Sequence, residues 1–262
     1  PISIASNRSA LSHLPTIRGI GILFPICLFL SSILLSEMID MFKSYYLLIL
    51  ISTLIGFYDD LKNINYKKKL VCLTFIFLIV SIFDNKILMF NEINIFFSLV
   101  ISLFIFIFYI LFFNQIDGIN GLSSGTFCVF LGALIFFQSM ENEVNHIFIN
   151  ILGVMFLYFL LNILNFKFFQ GDAGAYFLGA TSYLALQDHQ RLFFISFILL
   201  FPILADIVWT TFIRLYFRYN LSQPHKAHLY QKSVSKIKSH FPVTFCHIIL
   251  QLTCFLIICS CR

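Results

Sequence analysis

The stretch IFFSLVISLFIFIFYILFF at residues 95–113, followed at once by NQIDGING at 114–121, decides the fold. The first part carries no charge and approaches the roughly 20 residues that an α-helix needs to cross a bilayer. The second part brings amides, a carboxylate and two glycines, which suit a polar surface better than a hydrocarbon interior. The pair therefore predicts a transmembrane helix that delivers reactive side chains to one membrane surface.

This alternation of apolar runs and polar interruptions extends over the whole chain. Hydrophobic residues make up 60% of the 262 residues and charged residues 11%, and mean hydropathy is +0.92. Soluble domains are far less apolar, and continuous apolar runs are not the alternating pattern of a transmembrane β-barrel. We predict an all-α, polytopic transmembrane bundle that forms a single integral-membrane domain over residues 1–262. Its expected crossings, about nine, are 20–36, 45–57, 70–83, 95–113, 121–138, 147–166, 175–186, 192–213 and 242–260.

The positive charges give this bundle an orientation. When the nine segments alternate across the bilayer, thirteen of the 17 lysines and arginines fall on one side. Cytoplasmic loops carry an excess of such residues, so that side is predicted to be cytoplasmic. The thirteen are Arg8, Arg18, Lys62, Lys67, Lys68, Lys69, Lys167, Arg214, Arg218, Lys226, Lys232, Lys236 and Lys238.

Four polar islands emerge on this same side. They contain Asp59 and Asp60, the segment Asn114–Gly121, Asp172 between two glycines, and the pair His225 and His228. Carboxylate and amide oxygens are the ligands that Mg²⁺ and Mn²⁺ prefer. Basic side chains balance the charge of phosphate, and glycines let the backbone approach a ligand closely. Together the islands predict metal-assisted phosphoryl transfer, in which positioning and charge neutralisation supply most of the rate.

Each island also has a simpler structural interpretation. An aspartate pair can end a helix, Asp172 can cap the helix that follows it, and the histidine loop can be a solvated basic segment. His225 and His228 are spaced to share a zinc ion, but no third ligand is close in sequence, so histidine and lysine around a phosphate is the better fit. Asp206 lies within an apolar helix, where a carboxylate is expensive unless it is paired or faces a polar cavity.

Five segments in the same order resemble the polyprenyl-phosphate N-acetylhexosamine-1-phosphate transferases, which are bacterial glycosyltransferases of family 4. Residues 7–19 (NRSALSHLPTIRG) resemble N-R-S-S-H-x-x-P-T-P-R-G-G, and 56–60 (GFYDD) resemble G-x-x-D-D. Residues 114–122 (NQIDGINGL) resemble N-x-x-D-G-x-D-G-L, and 171–174 (GDAG) resemble the start of G-D-x-G-S. Residues 224–231 (PHKAHLYQ) resemble the H-R-S-H-x-Y-Q loop of the branch that initiates O-antigen synthesis.

The resemblance implies an enzyme that takes sugar-1-phosphate from a UDP-N-acetylhexosamine and gives it to undecaprenyl phosphate, releasing UMP. Asn114 and Asp172 would hold Mg²⁺, with Mn²⁺ as the alternative. Asp59 and Asp60 would stand near the metal and the incoming lipid phosphate, either one being a candidate base. The enzyme would be multi-pass in the bacterial inner membrane, with its active site on the cytoplasmic face and no nucleic-acid partner. Its oligomeric state is left open.

The same resemblance implies roles for the remaining polar residues. Asp117 would help to order the nucleotide-sugar, while His225 and His228 would contact phosphate. The chain departs from the family pattern at Asn120, which replaces an aspartate and bears on nucleotide or metal affinity. It also departs at Ala175 in place of serine, and at Ile17 and Ile20 in place of proline and glycine. Family members carry a further N-terminal helix, and we expect one to precede Pro1.

Two alternatives stay open at this point. An ion-coupled transporter could use Asp206 and the aspartate islands as a relay, although inverted repeats are not evident and the inner acids crowd one surface instead of the midplane. A phospho-muramoyl-pentapeptide transferase would share the membrane chemistry, although the histidine loop favours an N-acetyl sugar without a peptide. The sequence does not name that sugar, nor does it distinguish direct attack by the lipid phosphate from a covalent intermediate.

Overall fold

The described part of the chain forms ten α-helices and a small antiparallel pair of strands, each two residues long. The structure, a computed structural model, describes residues 2–3, 16–17, 19–34, 44–84, 88–90, 93–141, 146–164, 168–187, 190–220 and 225–261. The strands are β1 (Ile2–Ser3) and β2 (Thr16–Ile17). After a 3₁₀ turn at Ile20–Ile22 come α1 (Leu23–Leu34), α2 (Ser44–Lys62), α3 (Tyr66–Phe83), α4 (Ile95–Ile116), α5 (Leu122–Met140), α6 (His146–Ile163), α7 (Gly171–Ala185), α8 (Gln190–Tyr216), α9 (Leu229–Ile237) and α10 (Phe241–Ser260).

The predicted all-α membrane bundle is confirmed. Each of the nine predicted apolar segments coincides with one helix, and α9 is the additional one. By length and composition, α4, α5, α6, α8 and α10 are able to cross a membrane. Large apolar side chains stay exposed on the outside of the bundle, as at Phe83, Phe104 and Phe201, which suits contact with lipid rather than water. The count of nine crossings stays a prediction.

Helix α7 forms the centre of the bundle. Every residue of α7 except Asp172 is buried, and its most extensive contacts are with α2 and α4. Small residues allow this close packing, as is typical between membrane helices. A Cβ atom on Gly56 of α2 would lie 2.8 Å from the Cα of Ala173, and one on Gly179 would lie 2.6 Å from the backbone nitrogen of Ile110 in α4.

The polar islands are brought to one end of this bundle by hydrogen bonds between helix ends. The backbone N–H of Gly121, at the start of α5, donates to the Asn162 side chain near the end of α6 (2.5 Å). Asn162 in turn donates to the carbonyl of Phe168, just before α7 (2.7 Å). The backbone N–H of Asn120 donates to His240, at the start of α10 (3.0 Å). The ends of α4 and α6 and the starts of α5, α7 and α10 therefore meet.

Candidate active site

A lysine between two carboxylates lies at the centre of the site. The Lys69 ammonium forms an ion pair with Oδ2 of Asp59 and lies 3.0 Å from Oδ2 of Asp172. The Asn114 amide donates to the other oxygen of Asp172 over 2.9 Å. These side chains come from the end of α2, the start of α3, the start of α7 and the end of α4. The structure therefore assembles three of the islands into one cluster, which we call the Asp59–Lys69–Asp172–Asn114 cluster.

Asp60 has a different position from its neighbour. One carboxylate oxygen accepts from the backbone N–H of Asp172 (3.0 Å), and the other accepts from that of Ala173 (3.1 Å). The first amides of a helix have no partner within it, so Asp60 caps α7 from another helix. Gly171 makes room for this contact, because it has a φ of +69° and a Cβ there would lie 2.7 Å from Asp60 Oδ1. The contact favours a positioning role for Asp60 over that of a base.

Burial and mutual contact shift the pKa values of the two carboxyl groups in this cluster in opposite directions. Burial raises the pKa of Asp59 to about 7, and Asp172 adds to the rise while Lys69 opposes it. Burial would also raise the pKa of Asp172, but its hydrogen bonds and the charge of Lys69 outweigh that effect and lower it. The two carboxylates raise the pKa of Lys69, although burial alone would lower it. Asp172 is thus the ionised partner, and its side chain, 29% exposed, is open to a ligand.

Asp117, three residues after Asn114, is held by a short chain of hydrogen bonds. The Gln170 amide donates to the hydroxyl of Ser123 (2.8 Å), which donates to a carboxylate oxygen of Asp117 (3.1 Å). Gln170 directly precedes the Gly171–Asp172 island. Ser123 of α5 therefore connects this island to the Asn114–Gly121 segment. Asn120 is held through its backbone, because its carbonyl accepts from the Thr244 hydroxyl over 2.7 Å.

The two predicted histidines form a second group with residues of α8 and α9. Their ring centroids are 4.9 Å apart, and the His228 ring stacks on Tyr230 at 5.4 Å. His228 is buried, and its Nδ1 lies 3.9 Å from a carboxylate oxygen of Asp206. Asp206 also accepts hydrogen bonds from the backbone N–H groups of Leu229 and Tyr230, which offset the cost of a carboxylate within an apolar helix. The structure places the histidines with Asp206 rather than within the Asp59–Lys69–Asp172–Asn114 cluster.

The comparison with protein families agrees with this arrangement. The family model described as glycosyl transferase family 4 matches residues 42–188, a range that contains Asp59, Asn114 and Asp172. The chain belongs to glycosyl transferase family 4. No curated protein matches it. The predicted family is thus confirmed, and this family 4 member is a membrane-embedded transferase of the polyprenyl-phosphate sugar-phosphate type.

The match favours a transferase over the transporter that the sequence left open. It does not extend to the histidine loop, so the O-antigen branch stays a prediction. The first predicted motif, including Asn7, Arg8, His13 and Arg18, lies largely outside the described residues. Pro224, which opens the histidine loop, lies outside them too.

The residues present in this family 4 enzyme suit a hard divalent cation. Within the described part of the chain, no group of three or more His, Cys, Asp or Glu side chains is arranged to hold a metal. Magnesium needs no such cage, since it is bound by one or two carboxylates together with water and substrate phosphates. Asp172 and Asn114 provide that partial set of oxygen donors. The position of the Lys69 ammonium shows that the local field attracts positive charge.

Several contributing residues were not predicted from the sequence. Lys69 was interpreted only as one of the basic loop residues, and Ser123 and Asn162 were not singled out. Nothing in the sequence distinguishes His240, whose ring accepts a hydrogen bond from the backbone N–H of Asn120. Ser123 and Asn162 are both polar residues near the end of an apolar helix, and both are buried. The sequence shows the first property, but only the fold shows that their side chains point into the protein.

Proposed function

We propose that this protein transfers N-acetylhexosamine-1-phosphate from a UDP-sugar to undecaprenyl phosphate and releases UMP. The reaction would be the first membrane step of O-antigen, lipopolysaccharide or other cell-envelope glycan synthesis, at the cytoplasmic face of the bacterial inner membrane. The observation that carries the proposal is Lys69 held between Asp59 and Asp172 where four helix ends meet. The carboxylates suit the divalent cation that accompanies a diphosphate, and the place of the site at the end of an apolar bundle suits a lipid acceptor.

The reaction is a displacement at phosphorus. An oxygen of the lipid phosphate forms a bond to the phosphorus that carries the sugar, and the bond from that phosphorus to the bridging oxygen breaks. UMP leaves with the bridging oxygen, and the product is a lipid diphosphate sugar. The lipid phosphate is already ionised near neutral pH, so the enzyme gains most by positioning the reactants and neutralising charge. Direct attack is therefore the simpler pathway.

Asp172 and Asn114 would hold Mg²⁺, with Mn²⁺ as the alternative, and Asp59 stands next to them. A bound divalent cation supplies charge neutralisation at the transferred phosphoryl group. Asn114 now donates to Asp172 through its nitrogen, and rotation of the amide would present its oxygen instead. Lys69 balances the remaining negative charge between the two carboxylates, and Asp60 fixes the backbone of Asp172 at the start of α7.

Asp117, at the end of α4, and the two histidines before α9 would contact the substrates. The hydrogen bond from Ser123 orients Asp117, which fits its proposed part in ordering the nucleotide-sugar. Burial lowers the pKa of both His225 and His228, and the charge of Arg214 lowers them further. These histidines would therefore meet phosphate as neutral hydrogen-bond donors, while Lys226 between them and Lys232 on α9 would supply positive charge.

The test is to incubate the detergent-purified protein with undecaprenyl phosphate, Mg²⁺ and a panel of UDP-N-acetyl sugars, and to measure UMP. We expect lipid-dependent UMP from one donor, abolished by EDTA and by Asp172→Asn. Glu141→Gln is the matched control, because Glu141 is an exposed carboxylate at the far end of α5, and this variant should retain full activity.

Other outcomes would identify a different function. UMP release from UDP-N-acetylmuramoyl-pentapeptide alone would indicate the phospho-muramoyl transferase instead. No UMP from any donor, with an active family 4 enzyme assayed in parallel, would contradict the proposal. Equal loss of activity in Asp172→Asn and Glu141→Gln would remove Asp172 from the site.

A further inference from the structure

Asp206 is a buried carboxylate in an apolar helix, and the reaction described above does not use it. It lies within α8 and is only 8% exposed. Oδ1 accepts hydrogen bonds from the backbone N–H of Leu229 (2.9 Å) and from the hydroxyl of Thr210 (3.0 Å). Oδ2 accepts from the backbone N–H of Tyr230 (3.2 Å). A carboxylate at such a depth is costly unless it is well paired, and here both of its oxygens are used.

These contacts make Asp206 the cap of α9. The helix begins at Leu229, and the residue at its N-cap, His228, makes no side-chain capping hydrogen bond. The first amides of a helix need a partner from outside, and a negative charge at this end is also favoured by the helix dipole. Asp206 provides both functions from a different helix, so the start of α9 is fixed to α8.

Helix α9 then rests on the Asn114–Gly121 segment. The buried Tyr230 hydroxyl donates to the carbonyl of Gln115 over 2.7 Å. A Cβ atom on Gly118 would lie 2.9 Å from that hydroxyl and 2.9 Å from the side-chain amide nitrogen of Gln231, so these two side chains of α9 pack directly against the Gly118 backbone. Gln115 lies between Asn114 and Asp117, two residues that we place in the reaction.

We propose that Asp206 is a positioning residue, which seats the start of α9 and, through Tyr230, holds the segment that carries Asn114 and Asp117. Tyr230 makes both links of this connection. Its backbone N–H donates to Asp206 in α8, and its hydroxyl donates to the carbonyl of Gln115 at the edge of the active site. Its effect on catalysis rests on the proposed function, whereas the positional part stands on the contacts alone.

The positional part is tested by amide hydrogen exchange on the detergent-purified full chain. Asparagine has the shape of aspartate but only one acceptor oxygen. In Asp206→Asn the side-chain NH₂ would therefore replace one oxygen and would face a backbone N–H that it cannot accept from. We expect exchange to become roughly tenfold faster in peptides covering 229–231 and 115–121. Tyr230→Phe removes only the hydroxyl, so it should accelerate exchange at 115–121 and leave 229–231 protected.

Thr210→Val is the matched control. It removes one hydrogen bond from the same carboxylate oxygen but leaves both backbone amides capped, so exchange in the two regions should stay as in the unmodified protein. Unchanged protection at 229–231 in Asp206→Asn would overturn the proposal. So would faster exchange at 229–231 without any change at 115–121.

The catalytic part is tested with a double-mutant cycle on the rate of UMP formation. Asp206→Asn and Tyr230→Phe should each lower kcat by roughly tenfold, because small displacements of catalytic groups cost this much or more. The double variant should lose no more than Asp206→Asn alone, since both changes break one connection. If the two substitutions acted independently, their losses of kcat would multiply in the double variant. That result would overturn the coupling through Tyr230.

The two arms separate this inference from the proposed function. If the unmodified protein forms no UMP from any donor, the proposed function fails, and hydrogen exchange still decides whether Asp206 positions α9 and the Asn114–Gly121 segment. If the unmodified protein is active and the Asp206→Asn variant keeps its full rate, the proposed function stands and the positioning role in catalysis is rejected.

Discussion

Lys69 holds together two helices that each place a carboxyl group at the site. Its ammonium pairs with Asp59 at the end of α2 and with Asp172 at the start of α7. Lys69→Met would leave these carboxylates facing each other without a cation, and an unpaired buried charge is strongly unfavourable. We expect UMP formation to fall by about 100-fold, since both the charge balance and the position of Asp172 would be lost.

The neighbouring Lys68 offers a matched control for this change. It lies on the same turn of α3 but is exposed, so Lys68→Met removes the same charge without reaching the carboxylates. This variant should keep its rate within about twofold, because exposed charges contribute little. Similar losses in the two variants would show that the net charge of the loop matters, and that the ion pair of Lys69 does not.

His225 gives a pH-dependent prediction at the same scale. Burial, together with the positive charge of Arg214 and the adjacent His228, lowers the pKa of His225 to about 4. An unfolded histidine titrates near 6.5, so this stabilising contribution is complete above pH 6.5 and is lost as the pH falls towards 4. Thermal denaturation in detergent should show a steeper decline for the unmodified protein than for His225→Gln over that range, with pH 8 as the baseline. Parallel declines would contradict the assignment.

At the scale of elements, the start of α7 depends on a cap that comes from α2. Asp60 accepts both the Asp172 and the Ala173 amides, and loss of a helix cap costs about 1–2 kcal/mol. We expect Asp60→Ala to lower the free energy of unfolding by about that amount. UMP formation should fall by at least roughly tenfold, because Asp172 would lose its fixed backbone.

A cap at the opposite end of the molecule separates these two effects. Asn94 caps α4 by accepting from the backbone N–H of Phe96 over 2.9 Å. Helix α4 is on the order of 33 Å long, and its other end carries Asn114. Asn94→Ala should therefore cost about 1 kcal/mol of stability and leave UMP formation unchanged. If both cap variants lose activity in proportion to their stability, the position of Asp172 is not what Asp60 provides.

The elements also show how far the sequence alone reaches. Long apolar runs predict nine of the ten helices that the structure describes, because a helix is the stable state of such a run in a bilayer. Helix α9 has no such run, and its stability comes from contacts that are remote in sequence. Asp206 precedes the start of α9 by 23 residues, and Gln115 precedes Tyr230 by 115. A short helix stabilised by tertiary contacts leaves only a weak local signal.

The same reason explains which site residues could be predicted. Asp59, Asn114 and Asp172 stand out because polar residues interrupt apolar runs, and the structure brings them together. Lys69 does not stand out in this way, since it is the last of three consecutive lysines that precede an apolar run. Its partner Asp172 is 103 residues away. The exposed Lys67 and Lys68 are indistinguishable from it by type, and only the packing of α3 on α2 separates them.

At the scale of the whole molecule, the charge distribution distinguishes the two ends of the bundle. The site end carries the basic residues at the end of α2, at the start of α3 and in the segment from α8 to α10. Among the cations that the structure describes, Arg191 lies at the other end, at the start of α8. Helix α8 is on the order of 40 Å long, enough to separate the two faces of a bilayer. Cytoplasmic loops hold the excess of lysine and arginine, so we predict that the site faces the cytoplasm.

Cysteine labelling tests this orientation directly. In a variant without its own cysteines, the exposed residues Lys226 and Arg191 are replaced one at a time by cysteine and expressed in a Gram-negative host. A membrane-impermeant maleimide should label Arg191→Cys in intact spheroplasts, and Lys226→Cys only after the membrane is permeabilised. Retained UMP formation shows that each variant is folded. Labelling of Lys226→Cys from outside would contradict the orientation, and it would also separate the site from the cytoplasm, where nucleotide-sugars are made.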